Sequence, residues 1–392
     1  MRIAMVTETY PPEVNGVALT VARVVQGLRS RQHSVQLIRP RQSAAGDGGA
    51  SSGRFDEVLL GGLPVPRYPH LRMGVPSTRA LVSLWTRQRP DLVHIATEGP
   101  LGWSALRAAL KLKLPVASDF RTNFQSYMQH YGMAWLRKPM TAYLRKFHNR
   151  TRVTCVPTPA LRDELSALGF ERLRVVPRGV DTQRFDPARR SAALREQWGA
   201  GPGTPVMLCV SRLAPEKNLS LLLDIFDTLR AERADLRLVL VGDGPMKETI
   251  ASRSPHCLMA GMRHGEDLAA HYASADLFVF PSLTETFGNV TLEALSSGLP
   301  VVAFRQAAAG LIIQDGRQGL LAPPDDPAAL LQATRRAVDD EPLRQSLGLQ
   351  ARQTALTLDW ERVIDQFEAL LLETQTPLPE PVPQPDLRAA VL

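Results

Sequence analysis

Short runs of β-branched and other apolar residues alternate with amphipathic stretches of helical length along almost the whole chain. This alternation is typical of parallel sheets covered by helices on both faces, because strands buried on both sides are apolar throughout. We predict strands at 2–6, 35–38, 92–96, 115–118, 153–156, 173–176, 206–210, 236–241, 257–260, 277–280 and 300–303. The pattern therefore predicts an α/β, doubly wound fold.

One interruption divides this alternation. A polar, Pro-flanked stretch spans 177–187, and the pattern restarts with an apolar run at 206–210. Since 392 residues exceed what one hydrophobic core usually organises, two domains and a cleft between them are expected. We divide the chain into 1–185, 186–357, 358–374 and 375–392. The first two parts are expected to be Rossmann-like domains, the third a helix, and the fourth a Pro-rich, disordered tail.

Composition limits the cellular context of the chain. No run approaches the about 20 apolar residues of a membrane helix, and the residues after Met1 lack the apolar core of a signal peptide. The sequence thus predicts a cytoplasmic protein whose membrane contact would be peripheral. The net charge of +7 suits an anionic substrate, an acidic membrane surface or nucleic acid. Nucleic acid has only this charge in its favour, since no RNP-like aromatic motif or zinc-ligand spacing occurs.

A stretch of small residues and the three cysteines predict structure but no chemical site. Residues 41–53 are rich in Gly, Ala and Ser and have no apolar period, so we predict a mobile surface loop. Cys155, Cys209 and Cys257 lie far apart in apolar, strand-like runs. This spacing predicts buried, reduced thiols rather than a metal or redox site.

The loop after the first predicted strand ends at Gly16, which opens the next helix. A glycine there allows a ligand to approach the backbone closely, and the N–H groups of Val17 and Ala18 offer an anion site. The alternative is an ordinary helix N-terminus. No GxGxxG fingerprint is present, so a tightly bound dinucleotide is disfavoured.

Arg212 and Lys217 lie between a buried strand and an apolar helix. A guanidinium binds two phosphate oxygens at once and an ammonium adds a mobile point charge, so the two residues suit a diphosphate at the carboxyl end of a strand. The alternative is a pair of solvated surface charges.

Glu285 and Glu293 stand eight residues apart around the start of a predicted helix near Gly288. With Glu285 in the loop and Glu293 two turns into the helix, both carboxylates can face one cleft, where they would accept hydrogen bonds from sugar and ribose hydroxyls. The backbone N–H groups expected to point at a phosphate are those of Phe287, Gly288, Asn289 and Val290. The alternative is a helix cap at Glu285 and a solvated Glu293.

The stretch from Glu285 to Glu293 resembles the E-x7-E motif of family 4 retaining glycosyltransferases. Residues 211–218, 241–245 and 296–303 are similar to further landmarks of that family, and the likeness covers about residues 1–373. It implies the GT-B fold, in which two Rossmann-like domains face a central cleft and a C-terminal helix crosses back to the N-domain. Within the family, 11–17 and 97–102 resemble GDP-mannose-dependent α-mannosyltransferases and the sulfoquinovosyl and glycolipid glycosyltransferases.

This resemblance assigns roles to the candidate residues. The donor diphosphate would lie on Arg212 and Lys217, with the backbone after Gly288 and at Gly16. Glu293 would hold the ribose hydroxyls, and Glu285 would orient the transferred sugar for front-face attack without a covalent intermediate. The nucleotide base would lie near Met262 and Arg263. The acceptor would be a lipid or a glycan on the N-domain side. The chain contains no Asp-x-Asp sequence, which fits catalysis without a metal or other cofactor.

One position departs from the family pattern. Relatives commonly have His-Thr-Asn where this chain has Arg121-Thr122-Asn123, and in the family that histidine is associated with catalysis at the donor sugar. Arginine cannot act as a neutral acceptor, so activity is retained, retuned or lost.

Three alternatives to a glycosyltransferase remain: an epimerase of the same fold, a catalytically silent nucleotide-binding homologue, and a glycoside hydrolase. The last would use two carboxylates but has no need of a phosphate site.

A basic amphipathic stretch spans 136–150. Its apolar face is formed by Met140, Tyr143, Leu144 and Phe147, and basic residues crowd the other face. Such a stripe suits the surface of an anionic bilayer and, with the family likeness, favours a lipid-linked acceptor. The alternative is that the apolar face packs on the N-domain sheet.

Overall fold

The computed structural model describes residues 1–13, 15–42, 51–52, 55–65, 68–121 and 137–375. In its first half the strands are β1 Arg2–Val6, β2 Ser34–Pro40, β3 Ser51–Ser52, β4 Phe55–Leu60, β5 Gly62–Val65, β6 Tyr68–Gly74, β7 Leu92–Ile95, β8 Val116–Asp119, β9 Val153–Val156 and β10 Leu173–Val175. Eight of them form one sheet in the order β10-β9-β8-β7-β1-β2-β4-β3, while β5 and β6 pair as a ribbon. All pairs in the large sheet are parallel except β3 with β4.

A second sheet follows in the chain. Its strands are β11 Val206–Val210, β12 Arg237–Val241, β13 Cys257–Gly261, β14 Leu277–Phe280, β15 Val301–Phe304 and β16 Gly319–Ala322. They are parallel throughout, in the order β13-β12-β11-β14-β15-β16. Residues of β11, β14, β15 and β16 are all buried because helices cover the sheet, whereas most of the edge strand β13 is partly buried.

Fourteen α-helices occur within the described residues. They are α1 Gly16–Ser30, α2 Thr78–Arg87, α3 Pro100–Lys111, α4 Arg137–His148, α5 Pro159–Ala167, α6 Ala192–Gln197, α7 Leu219–Glu232, α8 Lys247–Arg253, α9 Gly265–Ser274, α10 Asn289–Ser296, α11 Ala307–Ile312, α12 Pro327–Asp339, α13 Glu341–Ala355 and α14 Trp360–Gln375. None of these helices has the length and apolar character needed to cross a bilayer.

Local sequence explains where several helices begin. Proline occupies the first position of α3, α5 and α12, where its missing N–H costs nothing. The Thr158 hydroxyl accepts from the Leu161 N–H at 3.2 Å, and the Asp326 carboxylate accepts from the Ala329 N–H at 2.9 Å. These caps satisfy backbone donors that a helix start leaves unpaired.

The last helix returns to the first sheet. Val363, Phe367 and Leu371 of α14 are buried in the same core as strands β1 and β2. Gly27 of α1 lies so close to Ile364 that a β-carbon at position 27 would be 2.0 Å from the Ile364 Cδ1. The close packing of α1 on α14 thus fixes the C-terminal helix on the N-terminal sheet, as the family likeness implies.

The predicted strands agree with the structure to within one or two residues at each end, and the three cysteines are buried as predicted. The pattern does not predict β4, the β5–β6 ribbon or β16, because β4 contains two acidic residues and β16 is short and has no β-branched residue. The loop predicted at 41–53 is wrong at Ser51–Ser52, which pairs with β4. Residues 43–50 and 53 of that loop, and the tail from 376 onward, lie outside the described residues.

The strands up to β10 belong to the first sheet or to the β5–β6 ribbon, and the strands from β11 onward form the second sheet. The exact domain limits at 185, 357 and 374 stay predictions. In both sheets the carboxyl ends of the parallel strands meet at one edge, and ligands of open α/β sheets bind at such edges. The loops that leave these edges carry the candidate site residues.

Candidate donor and catalytic site

Lys217 and Glu285 form an ion pair between two loops of the second sheet. Lys217 ends the short 3₁₀ turn Pro215–Lys217 after β11, and Glu285 lies in the loop after β14. The Ser282 hydroxyl donates to the same Glu285 oxygen at 2.8 Å. Both charged side chains are largely buried, with 12% and 14% of their surface exposed, so this is a held pair rather than two solvated charges.

Arg212 occupies the same loop as Lys217 and pairs with Glu216, whose carboxylate side chain is fully buried. The sequence predicts that Arg212 and Lys217 converge on one anion. The structure places both cations in one loop at the edge of the sheet and gives each a carboxylate partner. A diphosphate entering this loop would therefore exchange with carboxylates for the same donors.

Glu293 lies inside α10, where the Tyr272 hydroxyl of α9 donates to its carboxylate at 2.8 Å. Burial raises the pKa of Glu293 to about 7, although the hydrogen bond from Tyr272 acts in the opposite direction. The alternative of a solvated Glu293 is therefore wrong. Tyr272 had no sequence signal, because it precedes Glu293 by 21 residues and lies on another helix.

Gly288 caps α10 with φ of 89°, a left-handed conformation that glycine adopts at no steric cost. A β-carbon there would lie 3.5 Å from the Glu285 Cγ. The Phe287 carbonyl accepts from the Ala308 N–H at 2.8 Å, which ties this loop to α11. Asn289 and Val290 form the first turn, whose N–H groups have no partner within the helix.

Gly16 brings the first half of the chain to this helix start. A β-carbon at Gly16 would lie 3.6 Å from Nδ2, the side-chain amide nitrogen of Asn289. The prediction that the Ala18 N–H serves an anion is wrong, because the Asn15 side chain caps α1 and accepts from that N–H at 2.8 Å. The site predicted at Gly16 is thus reduced to the glycine backbone and Val17.

Two acids hold the loop that leads to Gly16, a half-buried Glu8 and a buried Glu13. Glu8 accepts from the Leu101 N–H at 2.9 Å and from the Gly74 N–H, so it occupies the N-terminus of α3. Glu13 accepts from the Thr9 hydroxyl. Sequence reasoning missed the role of Glu8, whose partners lie in other elements, and that of Glu13, which accepts from a hydroxyl in the same loop.

Met262 and Arg263 follow β13, where the family likeness places the nucleotide base. Met262 is half exposed. The Arg263 Nε donates to the Ala260 carbonyl at 2.8 Å, and its guanidinium pairs with Asp267 at 3.1 Å. These contacts of Arg263 are with its own segment and with the start of α9.

Two family models together match most of the chain. The model described as Glycosyltransferase Family 4 matches residues 14–184, and the model described as Glycosyl transferases group 1 matches residues 204–340. The GDP-mannose-dependent α-mannosyltransferase of Mycobacterium tuberculosis is 34% identical to this chain over 371 residues, which are 94% of this chain and 95% of the relative. This chain belongs to glycosyltransferase family 4.

Other relatives of this glycosyltransferase carry different names. The sulfoquinovosyl transferase of Arabidopsis thaliana is 34% identical over 76% of this chain and 59% of its own length. Among solved structures, the sucrose-phosphate synthase of Thermosynechococcus elongatus superimposes with a TM-score of 0.79 and 19% identity, covering 95% of this chain and 98% of that one. The fold of the glycosyltransferase is therefore GT-B, as the sequence resemblance implies.

Arg121 of this glycosyltransferase is buried at the carboxyl edge of the first sheet, where it pairs with Asp119. Asp119 also contacts His94, with 3.0 Å between the carboxylate and Nε2. Burial raises the pKa of Asp119, but the charges of Arg121, His94 and Arg178 outweigh it and hold that pKa well below its usual range. Thr122 and Asn123 lie outside the described residues. Sequence reasoning found Arg121 but missed the residues that hold it.

The amphipathic stretch at 136–150 forms α4. Leu144 and Phe147 are fully buried against the first half of the protein, so the expectation that this apolar face lies on a bilayer is wrong for these two residues. The Tyr143 hydroxyl donates to the Glu98 carbonyl at 2.9 Å. A surface cavity of about 260 Å³ beside α4 is lined by Trp103, Arg107, Tyr143, Lys146 and Arg150. Leu136 and the side chain of Arg137 are outside the described part.

Proposed function

We propose that this family 4 glycosyltransferase moves a hexose from a nucleotide-diphosphate sugar to a lipid or glycan acceptor with retention of anomeric configuration. GDP-mannose is the favoured donor and a UDP-sugar is the next candidate. The observation that carries this proposal is the pairing of Lys217 with Glu285 beside the Gly288 helix start. The relatives of this chain include a GDP-mannose-dependent α-mannosyltransferase and a sulfoquinovosyl transferase, which favours these donor and acceptor classes.

The donor diphosphate carries the negative charge that this site is suited to receive. Arg212 and Lys217 would contact it from one loop, and the N–H groups of Asn289 and Val290 would contact it from the start of α10. As the bond between the sugar and the diphosphate breaks, charge grows on the leaving oxygens. Fixed cations and N–H groups stabilise this charge in advance, and such electrostatic stabilisation commonly contributes the largest part of a rate enhancement.

Two acids would then position the sugar and the nucleoside. Glu285, once Lys217 turns to the diphosphate, is free to accept hydrogen bonds from the transferred hexose and to orient it for front-face attack. Glu293 would accept from ribose hydroxyls when it is ionised. No metal or other cofactor is required in this proposal, because the two cations can neutralise the diphosphate directly.

The packing of α14 on the first sheet suggests how the enzyme closes. The chain leaves the first half near Val180 and returns to it near Asp359, and these two residues form a β-bridge. Closure about this crossing would exclude water from the donor and limit its hydrolysis. The basic cavity beside α4 supports a peripheral position on an anionic, cytoplasmic membrane face and an acceptor at that surface.

A thermal-shift panel with GDP, UDP and ADP tests the donor assignment. We expect GDP to protect the protein most, since bound ligand stabilises the folded state. K217A and R212A should each weaken GDP binding about 10-fold to 100-fold, as is typical for loss of a charge-assisted hydrogen bond. The control is K247A, because Lys247 is exposed and its pair with Asp243 is long, at 3.9 Å. Equal effects of K217A and K247A would refute the assigned donor site.

Incubation with the donor alone separates the epimerase alternative. A transferase leaves GDP-mannose unchanged or hydrolyses it slowly, whereas an epimerase converts it to an isomeric sugar nucleotide. R121H tests the silent alternative: appearance of transfer in R121H with none in the wild type would support that alternative.

A further inference from the structure

A buried polar cluster lies at the carboxyl edge of the first sheet. It consists of His94 on β7, Asp119 at the end of β8, Arg121 and Arg178. Arg121 and Arg178 retain only 7% and 8% of their exposure. These two arginines are called the arginine pair below.

The arginine pair brings more positive charge into the interior than Asp119 can neutralise. Asp119 pairs with Arg121 through one guanidinium nitrogen and also contacts His94. Burial and the charge of Arg121 lower the pKa of Arg178 to about 9, although Asp119 acts to raise it. No ion pair within 4 Å joins Arg178 to a carboxylate in the described part of the chain. Uncompensated buried charge is costly, so such an arrangement is usually explained by a counter-charge.

Arg121 also has buried hydrogen-bond donors that Asp119 does not engage. Its side chain is 3% exposed, and neither its Nε nor its Nη1 finds an acceptor among the described residues. Buried donors without partners are rare in native proteins, and each calls for an explanation. Asp119 holds the guanidinium by Nη2, which leaves the Nε and Nη1 nitrogens, with three N–H bonds, for another group.

The position of the cluster favours a substrate group as that acceptor. Val176 lies two residues before Arg178 and is buried in a hydrophobic core. Packed against the same core are Tyr10 in the loop before α1, Val17 at the start of α1 and Trp360 at the start of α14. The same region of α1 contains Gly16, which approaches Asn289 of the donor site. The arginine pair is therefore on the edge of the sheet where α/β proteins bind their ligands.

We propose that Arg121 and Arg178 form a subsite for an anionic group carried by a substrate, which is a phosphate, sulfonate or carboxylate. A guanidinium fork matches the oxygens of such groups, which an imidazole at position 121 would not. Asp119 and His94 are positioning residues that fix Arg121. The inference rests on the proposed function, because it assumes that a glycosyl donor or acceptor enters this edge. The anion belongs either to the acceptor or to the transferred sugar.

Binding of inorganic phosphate to the full chain tests the subsite. The titration is performed with saturating GDP, so that the diphosphate site is filled, and is repeated without GDP. We expect R121M and R178M each to weaken phosphate binding about tenfold. R87M is the control, because this substitution also removes one positive charge and Arg87 is exposed at the end of α2. Equal phosphate affinity in the wild type, R121M and R178M would overturn the proposal.

Two further variants guard against misfolding. D119N/R121M removes one charge of each sign, so it preserves the net charge of the cluster while removing the fork, and it should also lose phosphate binding. R178K retains the charge and should bind phosphate with an affinity between those of R178M and the wild type. If D119N/R121M folds and binds phosphate as the wild type does, the arginine pair is not the site.

Paired ligands identify the source of the anion. Dioctanoyl-phosphatidylglycerol is compared with dioctanoylglycerol, and UDP-glucuronate with UDP-glucose. A preference for the phosphate-bearing lipid that is lost in R178M assigns the anion to the acceptor, and a preference for the acidic sugar that is lost in R178M assigns it to the donor. If R178M changes neither preference, phosphate is an adventitious ion only and the proposal fails. Absence of protection by any nucleoside diphosphate would instead defeat the proposed function, while the phosphate titration without GDP still reports on the pair.

Discussion

The Lys217 ammonium donates to the Glu285 carboxylate across 68 residues of sequence. The two residues that the proposed mechanism assigns to the diphosphate and to the sugar are thus partners of each other. Binding of the donor would replace one largely buried ion pair by two new contacts, one for each residue. This exchange makes the roles of the two side chains separable by mutation.

E285Q should bind GDP at least as tightly as the wild type while its kcat falls by about 100-fold. Loss of the carboxylate releases Lys217 for the diphosphate, but it also removes the charge that is assigned to the transferred sugar. Isothermal titration with GDP and a radiolabelled-sugar transfer assay measure the two effects. D243N is the control, because Asp243 belongs to an exposed and longer pair with Lys247. Much weaker GDP binding in E285Q would mean that Glu285 instead prepares Lys217 for the donor.

Glu293 should make donor binding depend on pH around neutrality. Its pKa of about 7 in the folded protein means that the carboxylate needed for ribose hydroxyls is present above pH 7 and protonated below it. We expect GDP affinity to increase more from pH 6 to pH 8 in the wild type than in E293Q, in which only the second ionisation of the terminal phosphate of GDP, with a pKa of about 6, contributes. A parallel pH dependence in both proteins would remove Glu293 from the ribose site.

The ionisation of Glu293 that favours donor binding lowers the free energy of unfolding. Because burial raises the pKa of Glu293 from 4.5 to about 7, the folded state holds a proton that the unfolded state releases between these values. The contribution of Glu293 to the free energy of unfolding is therefore full below pH 4.5 and is lost as the pH rises to 7, by up to about 3 kcal/mol. Urea denaturation at pH 5 and pH 8 measures this effect: the free energy of unfolding of the wild type, relative to that of E293Q, should be lower at pH 8 than at pH 5.

G16A should separate folding from donor binding. A β-carbon at Gly16 would meet the Asn289 amide at 3.6 Å, an ordinary contact, so the free energy of unfolding should change by less than about 1 kcal/mol. The added methyl group would nevertheless occupy the gap where the diphosphate is proposed to lie, and GDP affinity should fall about tenfold. Unchanged GDP affinity in a folded G16A protein would show that the donor does not reach Gly16.

G27A tests the attachment of the C-terminal helix. The new methyl group would lie 2.0 Å from the Ile364 Cδ1 and within 3.0 Å of two other Ile364 carbons, so overpacking should destabilise the protein by about 1–3 kcal/mol. Differential scanning calorimetry measures the fall in Tm. The matched control is G203A, since a β-carbon at Gly203 meets nothing within 4 Å. I364A in the G27A background should restore part of the loss; if it does not, α14 is not the cause.

Much of this fold follows from local sequence. The buried strands β1, β9, β11 and β14 have the residue limits that their apolar runs predict, because a parallel strand covered on both faces must be apolar along its length. By contrast, β4 is not predicted, since its acidic residues at positions 56 and 57 break the apolar pattern while the strand pairs with β2. Pairing with a neighbour decided that strand.

The sequence by itself determined the alternation of strands and helices, the resemblance that led to the family, and the residue types at Arg212, Lys217, Glu285 and Glu293. Only the tertiary structure decided how these groups are held. Tyr272 meets Glu293, and His94 meets Asp119, although neither contact follows a local period. Strand periodicity and motif spacing record interactions between near neighbours, whereas burial and the partners of a charge depend on which distant elements pack together. For this reason the chemical groups of the site could be found from sequence, but their pairings, their protonation and the buried arginine pair could not.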